Sequence, residues 1–311
     1  MAKLSILIPA RNEEWLQRTI EDIFEHIEGD TEVIVGIDGL PYQGRLTDKW
    51  HDKNIHFELA MDPVGQRAMT NRLAKRSTAK YLMKTDAHVS FSQGFDVEMM
   101  KQMEDDMVLV PSLMNLHVFN WVCDDCQAIH EQGNPPAECW RCKKDKFHKD
   151  LVWQVRPRPI ETDFAFDSRL IFGYTNITKP GDLTESMSIQ GSGFMVTRER
   201  YWENDLCSED FHSWGQQGVE VACKTWLSGG RVMCTKNAYM GHFFRTPTGF
   251  PYPIIGEEIF ENQRRSRELF LGNNWPKQTR SFQSLIEQFN YPLDWTPEKV
   301  AELCAHFEKM V

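Results

Sequence analysis

The sequence predicts an α/β chain, with a mixed sheet flanked by helices and interrupted by an inserted four-cysteine zinc ribbon. Three observations carry that expectation. Apolar runs of strand length alternate with helical patterns along the N-terminal third, as in sheets built from β-α-β crossovers. Polar residues punctuate the strand ends, at Arg11-Asn12, at Asp38 and at Asp86-Ala87-His88. The pair Cys123-x-x-Cys126 is followed by Cys139-x-x-Cys142, which is the ligand spacing of a closed tetrahedral zinc site.

The elements follow in order. Leu4-Ser5-Ile6-Leu7-Ile8-Pro9 reads as a buried strand. Asn12 is placed to cap the next helix, Glu13 and Glu14 favour its first turn, and Gly29 can stop it. Leu16, Ile20, Ile23, Phe24 and Ile27 recur at helical spacing on its apolar face. A strand over 32–37 ends at Asp38-Gly39, and a short strand near 56–60 leads to a helix over about 64–77. The run Tyr81-Leu82-Met83 then carries the chain to Asp86, and a helix near 94–104 precedes a strand over 107–111. The alternation breaks at Cys123, and the cysteine module with its basic tail reaches about Pro159, with turn chemistry at Gly133-Asn134-Pro135-Pro136. It resumes with Gly191-Ser192-Gly193-Phe194-Met195-Val196, a helix around 217–228, a strand over 231–234 and Gly241-His242-Phe243-Phe244-Arg245. The tail is helical in outline, and Thr296-Pro297-Glu298 is a helix start.

At 311 residues, with 41% hydrophobic and 26% charged residues, the chain has the composition of a globular protein with a full core. No apolar run approaches the roughly 20 residues of a membrane span, and no membrane partner is expected. The opening strand does not read as a signal peptide, which points to a cytoplasmic enzyme. A net charge of -10 gives no general attraction to nucleic acid. Basic residues nevertheless gather at Arg141, Lys143, Lys144, Lys146, Lys149, Arg156 and Arg158, and again at Arg264, Arg265 and Arg267. The reducing setting favours zinc over disulfides at Cys123, Cys126, Cys139 and Cys142. Cys207, Cys223, Cys234 and Cys304 have no ligand spacing and read as small buried hydrophobes.

Asp86 and His88 sit where parallel-sheet proteins bind ligands, beyond the carboxyl end of a strand. A hard carboxylate oxygen beside an imidazole nitrogen suits Mn²⁺ or Mg²⁺. The stretches 5–13, 34–39 and 84–88 together resemble the nucleotide-sugar half of a GT-A glycosyltransferase of the family 2 type. Trp214-Gly215-Gln216-Gln217-Gly218-Val219-Glu220, then Trp226, Gly229-Gly230 and Gly241-His242-Phe243-Phe244-Arg245, are similar to the polypeptide N-acetylgalactosaminyltransferases. The resemblance covers about 1–111 and 188–246. It divides the chain into a nucleotide-sugar-binding half (1–111), the zinc-ribbon insertion (112–160), an acceptor or catalytic half (161–250) and a helical tail (251–311).

The resemblance implies a Rossmann-like GT-A fold, a UDP-sugar donor, and a metal bound by Asp86, His88 and a late histidine that matches His242. It implies donor contacts from Pro9, Arg11, Asp38, Arg67, Asp86, Gly193 and Arg245. Inverting relatives carry an acidic pair directly after Trp-Gly-Gly, where this chain has Gln217 and Gly218. Asp210 or Glu220 would then have to serve as base, whereas the retaining N-acetylgalactosaminyltransferases use none. The aromatic and basic residues of the insertion suit a polyanionic acceptor such as DNA bearing hydroxymethylated bases. A protein or polysaccharide acceptor is the alternative. Rival readings are an inactive zinc-ribbon binding module on the same scaffold and a nucleotidyltransferase.

Overall fold

Strand β1 (Leu4–Ala10) is buried along its length and pairs in parallel with β2 (Thr31–Asp38), with the helix α1 (Leu16–His26) crossing between them. The computed structural model describes residues 2–42, 52–159, 163–175, 177, 179–212, 214–246 and 249–309. The next elements are β3 (Ile55–Ala60), α2 (Gln66–Arg76), β4 (Tyr81–Thr85), β5 (Val89–Phe91) and α3 (Phe95–Gln102). Then come β6 (Met107–Cys123), β7 (Ile129–Glu131), β8 (Phe147–Pro159), β9 (Phe164–Phe166), β10 (Phe172–Tyr174) and β11 (Leu183–Glu185). The chain ends with β12 (Gly193–Thr197), α4 (Arg198–Glu203), α5 (Gln217–Leu227), β13 (Arg231–His242), α6 (Gly256–Ser266) with a π-turn over Arg267–Leu271, α7 (Phe282–Gln288) and α8 (Pro297–Glu308).

The main sheet has the order β11-β13-β6-β12-β4-β1-β2-β3, and β5 adds to β13 while β7 and β8 add to β6. Strands β4, β1, β2 and β3 are mutually parallel, and β12 enters antiparallel between β4 and β6. The expected mixed α/β sheet is therefore present. Alternate residues serve opposite faces. Leu7, Ile34 and Leu82 join one core with Leu73 and Trp226, while Ile6, Ile8, Val35 and Met83 join the other with Leu16, Ile20 and Phe95. Among the described residues, no helix is long and apolar enough to cross a membrane.

Several boundaries differ from the sequence expectation. Asn12 does not cap α1: it takes φ 50°, which Asn tolerates, and the helix begins at Leu16 after Trp15. That turn buries Glu13 instead of leaving it on a helix surface. Gly29 does not stop α1 either. The helix ends at His26, and the Gly29 amide donates to Asp96 Oδ2 at 2.9 Å. The segment expected as a strand over 231–234 continues to His242. The sheet does not break at residue 111, since β6 runs unbroken from the core to Cys123, and β8 returns beside it. The cysteine module thus extends a hairpin of the central sheet; its expected end at 160 falls outside the described residues. Thr296 caps α8 as expected, accepting from the Lys299 amide.

Asp96 links α3 to the α1–β2 turn, accepting from the Glu28 and Gly29 amides and from Thr31 Oγ1 at 2.7–3.0 Å while fully buried. Replacing Asp96 by Ala leaves these donors unmet, and a loss of about 3 kcal/mol is expected in urea unfolding.

Candidate functional site

The parallel strands β1, β2 and β4 end side by side, and a cavity of about 370 Å³ opens beyond them, a size that suits a small-molecule ligand. Pro9, Arg11, Asp38, Asp86, His88, His242 and Arg245 all line it, so seven of the residues singled out from sequence come together.

Asp86 follows β4 and is pinned through its own amide, which donates to Ser192 O at 2.8 Å. Its Oδ1 accepts from Lys84 Nζ at 2.5 Å and from Gln66 Nε2 at 3.3 Å, and its Oδ2 faces His242 Nε2 at 3.2 Å. His242 arrives because β13 pairs antiparallel with β5, setting His242 opposite Val89. His88 meets Glu13 Oε2 through Nδ1 at 2.9 Å, which leaves Nε2 for the cavity. Potential ligand atoms of Asp86, His88 and His242 all lie within 4.8 Å of one another.

The electrostatics suit a cation. Burial pushes the Asp86 carboxyl up, but Lys84, His242 and His88 outweigh it and hold the group ionised well below the usual carboxylate range. Burial lowers His242 to about 4, so its imidazole is neutral near pH 7 with a lone pair to offer. His242 Nδ1 is buried with no hydrogen-bond partner among the described residues. One carboxylate and two imidazoles, with an orphaned ring nitrogen beside them, fit a divalent ion of the Mn²⁺ type.

Glu13 is a cavity residue that sequence reasoning missed. It is 4% exposed and pairs with both His88 and Arg245. Burial favours its neutral form, yet those two partners lower its pKa overall. Such a carboxylate fixes the ring orientation of a ligand histidine. Its only sequence signal is an acidic residue directly after a strand-end Arg-Asn. Tyr252 was also missed; it lines the cavity with Arg11 stacked 5.4 Å from its ring centre. Asp38 is in place, but its carboxylate already accepts from the Val64 and Gly65 amides at 2.6 and 3.0 Å and so shapes the loop before α2.

The remaining predicted residues lie elsewhere. Glu220, named as a base, is fully buried: it accepts from Arg67 Nε at 3.0 Å, Lys224 Nζ at 2.7 Å and the Ser208 amide at 2.9 Å. A carboxylate clasped by two cations and closed to water has no route to an acceptor. Asp210 is exposed and paired with Arg265, outside the cavity lining. Arg67, named as a donor contact, is buried beneath the cavity and donates to His212 O and Gly215 O, both at 2.8 Å. It therefore anchors the loop that presents Trp214 to the cavity. Gly193 lies within β12 opposite Thr85, where a Cβ would sit 2.7 Å from Met240 Sδ. The missing acidic pair has a steric reason at its second position, since a Cβ on Gly218 would lie 2.1 Å from Ile189 O.

In the cysteine module, Cys123 and Cys142 sulfurs lie 3.5 Å apart and those of Cys126 and Cys139 3.6 Å apart, too far for disulfides. All four come within 4.8 Å of one another. The two knuckles share a backbone form, with Gln127 and Lys143 at φ 58° and 61° directly after each second cysteine. Three of the basic residues here are paired with carboxylates. Lys143 pairs with Glu138, Lys149 with Glu14 and Arg156 with Glu131, and residues 123–150 contain five Lys or Arg against six Asp or Glu. Arg264 pairs with Glu261 and Glu268; the side chain of Arg158 lies outside the described residues. Between module and sheet lies a second cavity of about 240 Å³, with Phe119, Trp121 and Phe243 on one side and Gln132–Pro135 on the other. It shares Phe244 and Arg245 with the first.

Comparison with known proteins places this architecture. Residues 5–119 match the family model described as glycosyl transferase family 2. Polypeptide N-acetylgalactosaminyltransferase 10 of Mus musculus is 28% identical over 275 residues, covering 86% of this chain and 42% of that protein. N-acetylgalactosaminyltransferase 6 of Drosophila melanogaster is 28% identical over 107 residues, 34% of this chain and 16% of the relative. The chain thus spans less than half the length of these curated relatives. Among solved structures, GalNAc-T7 with UDP, GalNAc and Mn²⁺ superposes with a TM-score of 0.66 at 15% identity, over 94% of this chain and 57% of that one. Residues 1–349 of S. aureus TarS in complex with UDP-GlcNAc give 0.51 at 11% identity, over 98% and 71%. The fold is GT-A.

The buried ion network separates scaffold from catalyst. Glu220→Gln is expected to lower unfolding stability by about 3 kcal/mol, since it leaves buried cations short of a partner. A fully stable Glu220→Gln protein in chemical denaturation would contradict the structural role.

Proposed function

We propose that this chain, a glycosyltransferase by family match and by its GT-A fold, moves a sugar from a UDP-linked donor to a hydroxyl acceptor with a divalent ion at Asp86, His88 and His242. The observation that carries this reading is the convergence of those three side chains in the cavity beyond β1, β2 and β4. When bound, Mn²⁺ or Mg²⁺ would neutralise charge developing on the leaving diphosphate. Glu13 keeps the His88 Nδ1 proton directed at itself, and Arg11, Arg245 and the backbone after Pro9 line the donor's path. The donor class is supported by the GalNAc-T7 structure with UDP, GalNAc and Mn²⁺ and by the TarS complex with UDP-GlcNAc.

Among the described residues, the carboxylates of the cavity are Glu13, Asp38 and Asp86, and each already holds protein partners. That favours a retaining reaction. The bond from the anomeric carbon to the diphosphate breaks, the acceptor oxygen bonds to the same face, and the departing phosphate oxygen takes the acceptor proton. The acceptor would occupy the second, aromatic cavity, which adjoins the first through Phe244 and Arg245. The relatives' name favours a polypeptide hydroxyl. The balanced charge of the module speaks against hydroxymethylated DNA, although Lys144 and Lys146 with the exposed Trp140 leave that acceptor its footing. In the same proposal, a structural Zn²⁺ closes the four-cysteine site, and a reducing, cytoplasmic setting keeps the cysteines out of disulfides.

A panel of UDP-sugars with Mn²⁺ and Ser/Thr peptides or modified DNA tests this reading. UDP release is expected, with a loss of about 100- to 1,000-fold for Asp86→Ala, by analogy with removal of other charge-stabilising groups. The anomeric configuration of the product, read by NMR, is expected to match the donor. Pyrophosphate release in place of UDP would overturn the assignment in favour of nucleotidyl transfer. Metal analysis of the purified chain is expected to find one zinc, and Cys139→Ser is expected to release it and open the module to proteolysis.

A further inference from the structure

Lys84 is a charged residue in the middle of the sheet. It precedes Asp86 by two positions, so both side chains leave the strand path on the same face. The Lys84 side chain is 1% exposed, and an ammonium is almost never so buried without partners. It has two, Asp86 Oδ1 at 2.5 Å and Gly191 O at 2.8 Å. Gln66 donates to the same Oδ1, and Oδ2 faces His242 Nε2 at 3.2 Å, so a further ligand would meet Asp86 on the Oδ2 side, beside His242.

Asp86 is the sole carboxylate among the three candidate ligands, and His88 and His242 bring no negative charge. With Lys84 bonded to it, the ligand set offers an arriving dication no net attraction. Among the described residues, the surroundings do not restore any. The cavity wall sets Arg11 and Arg245 against Glu13, Asp38 and Asp86, and Lys84 behind the wall balances the third carboxylate. The other charge a cation would find there is that of a nucleoside diphosphate.

We propose that Lys84, by neutralising Asp86, weakens binding of the divalent ion alone and so sets how strongly that binding depends on the nucleotide diphosphate. Lys84 is a positioning residue, acting through Asp86. The inference rests on the UDP-donor reading above. By linkage, whatever factor UDP adds to metal affinity, the metal adds to UDP affinity. The chain would then hold donor nucleotide poorly without metal, and metal poorly without nucleotide.

Calorimetric titration of the full chain tests this, with Mn²⁺ alone, UDP alone, and Mn²⁺ at saturating UDP. UDP is expected to tighten Mn²⁺ binding by at least about 30-fold, within the usual range of coupling between sites. Lys84→Gln keeps amide donors for Asp86 and Gly191 but removes the charge. It is expected to tighten binding of Mn²⁺ alone about tenfold and to shrink the UDP effect correspondingly. Lys84→Met gives the same readout should the Gln variant not fold. A role confined to stability would move the melting temperature and leave the UDP-to-metal coupling factor intact. Equal Mn²⁺ affinity with and without UDP in the unaltered chain, or variants with unchanged coupling, would overturn the inference while leaving the donor-site reading standing. Absence of Mn²⁺ binding even with UDP would sink the metal-site reading itself, and the role of Lys84 with it.

Discussion

Strand β13 holds two partners at once, and the cleft depends on that. Along Arg231–Thr235 it runs parallel to β6, then shifts register before Tyr239 and continues beside β6 to His242. Over Met240–His242 it also pairs antiparallel with the short β5. Because β5 begins directly after His88, this pairing ties a late histidine to an early Asp-Ala-His turn by backbone hydrogen bonds. The Phe243 amide completes the tie by donating to His88 O at 3.2 Å. The spacing of Asp86, His88 and His242 is therefore set by sheet register, which is stiffer than any loop.

Beneath the cleft a second constraint operates, the need of buried charges for partners. Arg67, Glu220 and Lys224 are nearly inaccessible, and each satisfies another. What remains of Arg67 goes to the carbonyls of residues 212 and 215, and Asn262 of α6 binds the carbonyl of Trp214 at 2.7 Å. The C-terminal helices thus reach the cleft by holding the segment that presents Trp214.

The fold was largely readable from sequence because strand and helix periods are strong in the N-terminal third. Asp86, His88 and His242 were readable because they sit at strand ends in a recognisable order. Glu220 and Arg67 misled for a shared reason. Burial and pairing are decided by which elements pack together, and a charged residue on an amphipathic helix looks the same in sequence whether it faces a ligand or another charge. Glu13 was hidden by the opposite effect. A single left-handed residue at Asn12 delays the helix, and no periodicity reports that delay. The basic stretch of the insertion misled because some of its acidic partners are distant in sequence, Glu14 for Lys149 and Glu131 for Arg156.

The cysteine module hangs from the far ends of β6 and β8, beyond the last residues that touch the parallel half of the sheet. Its turn at Gln132–Asn134 nevertheless folds back. Gln132 spans the backbone of Leu116 and Val118, Trp121 Nε1 donates to Gly133 O, and Thr246 Oγ1 meets Asn134 Oδ1 at 2.7 Å. Insertions or deletions between the knuckles would leave the strand registers around Asp86 untouched while reshaping one wall of the aromatic cavity. Such a layout lets one wall of the aromatic cavity vary in length and composition while the cluster of Asp86, His88 and His242 on the other side stays fixed.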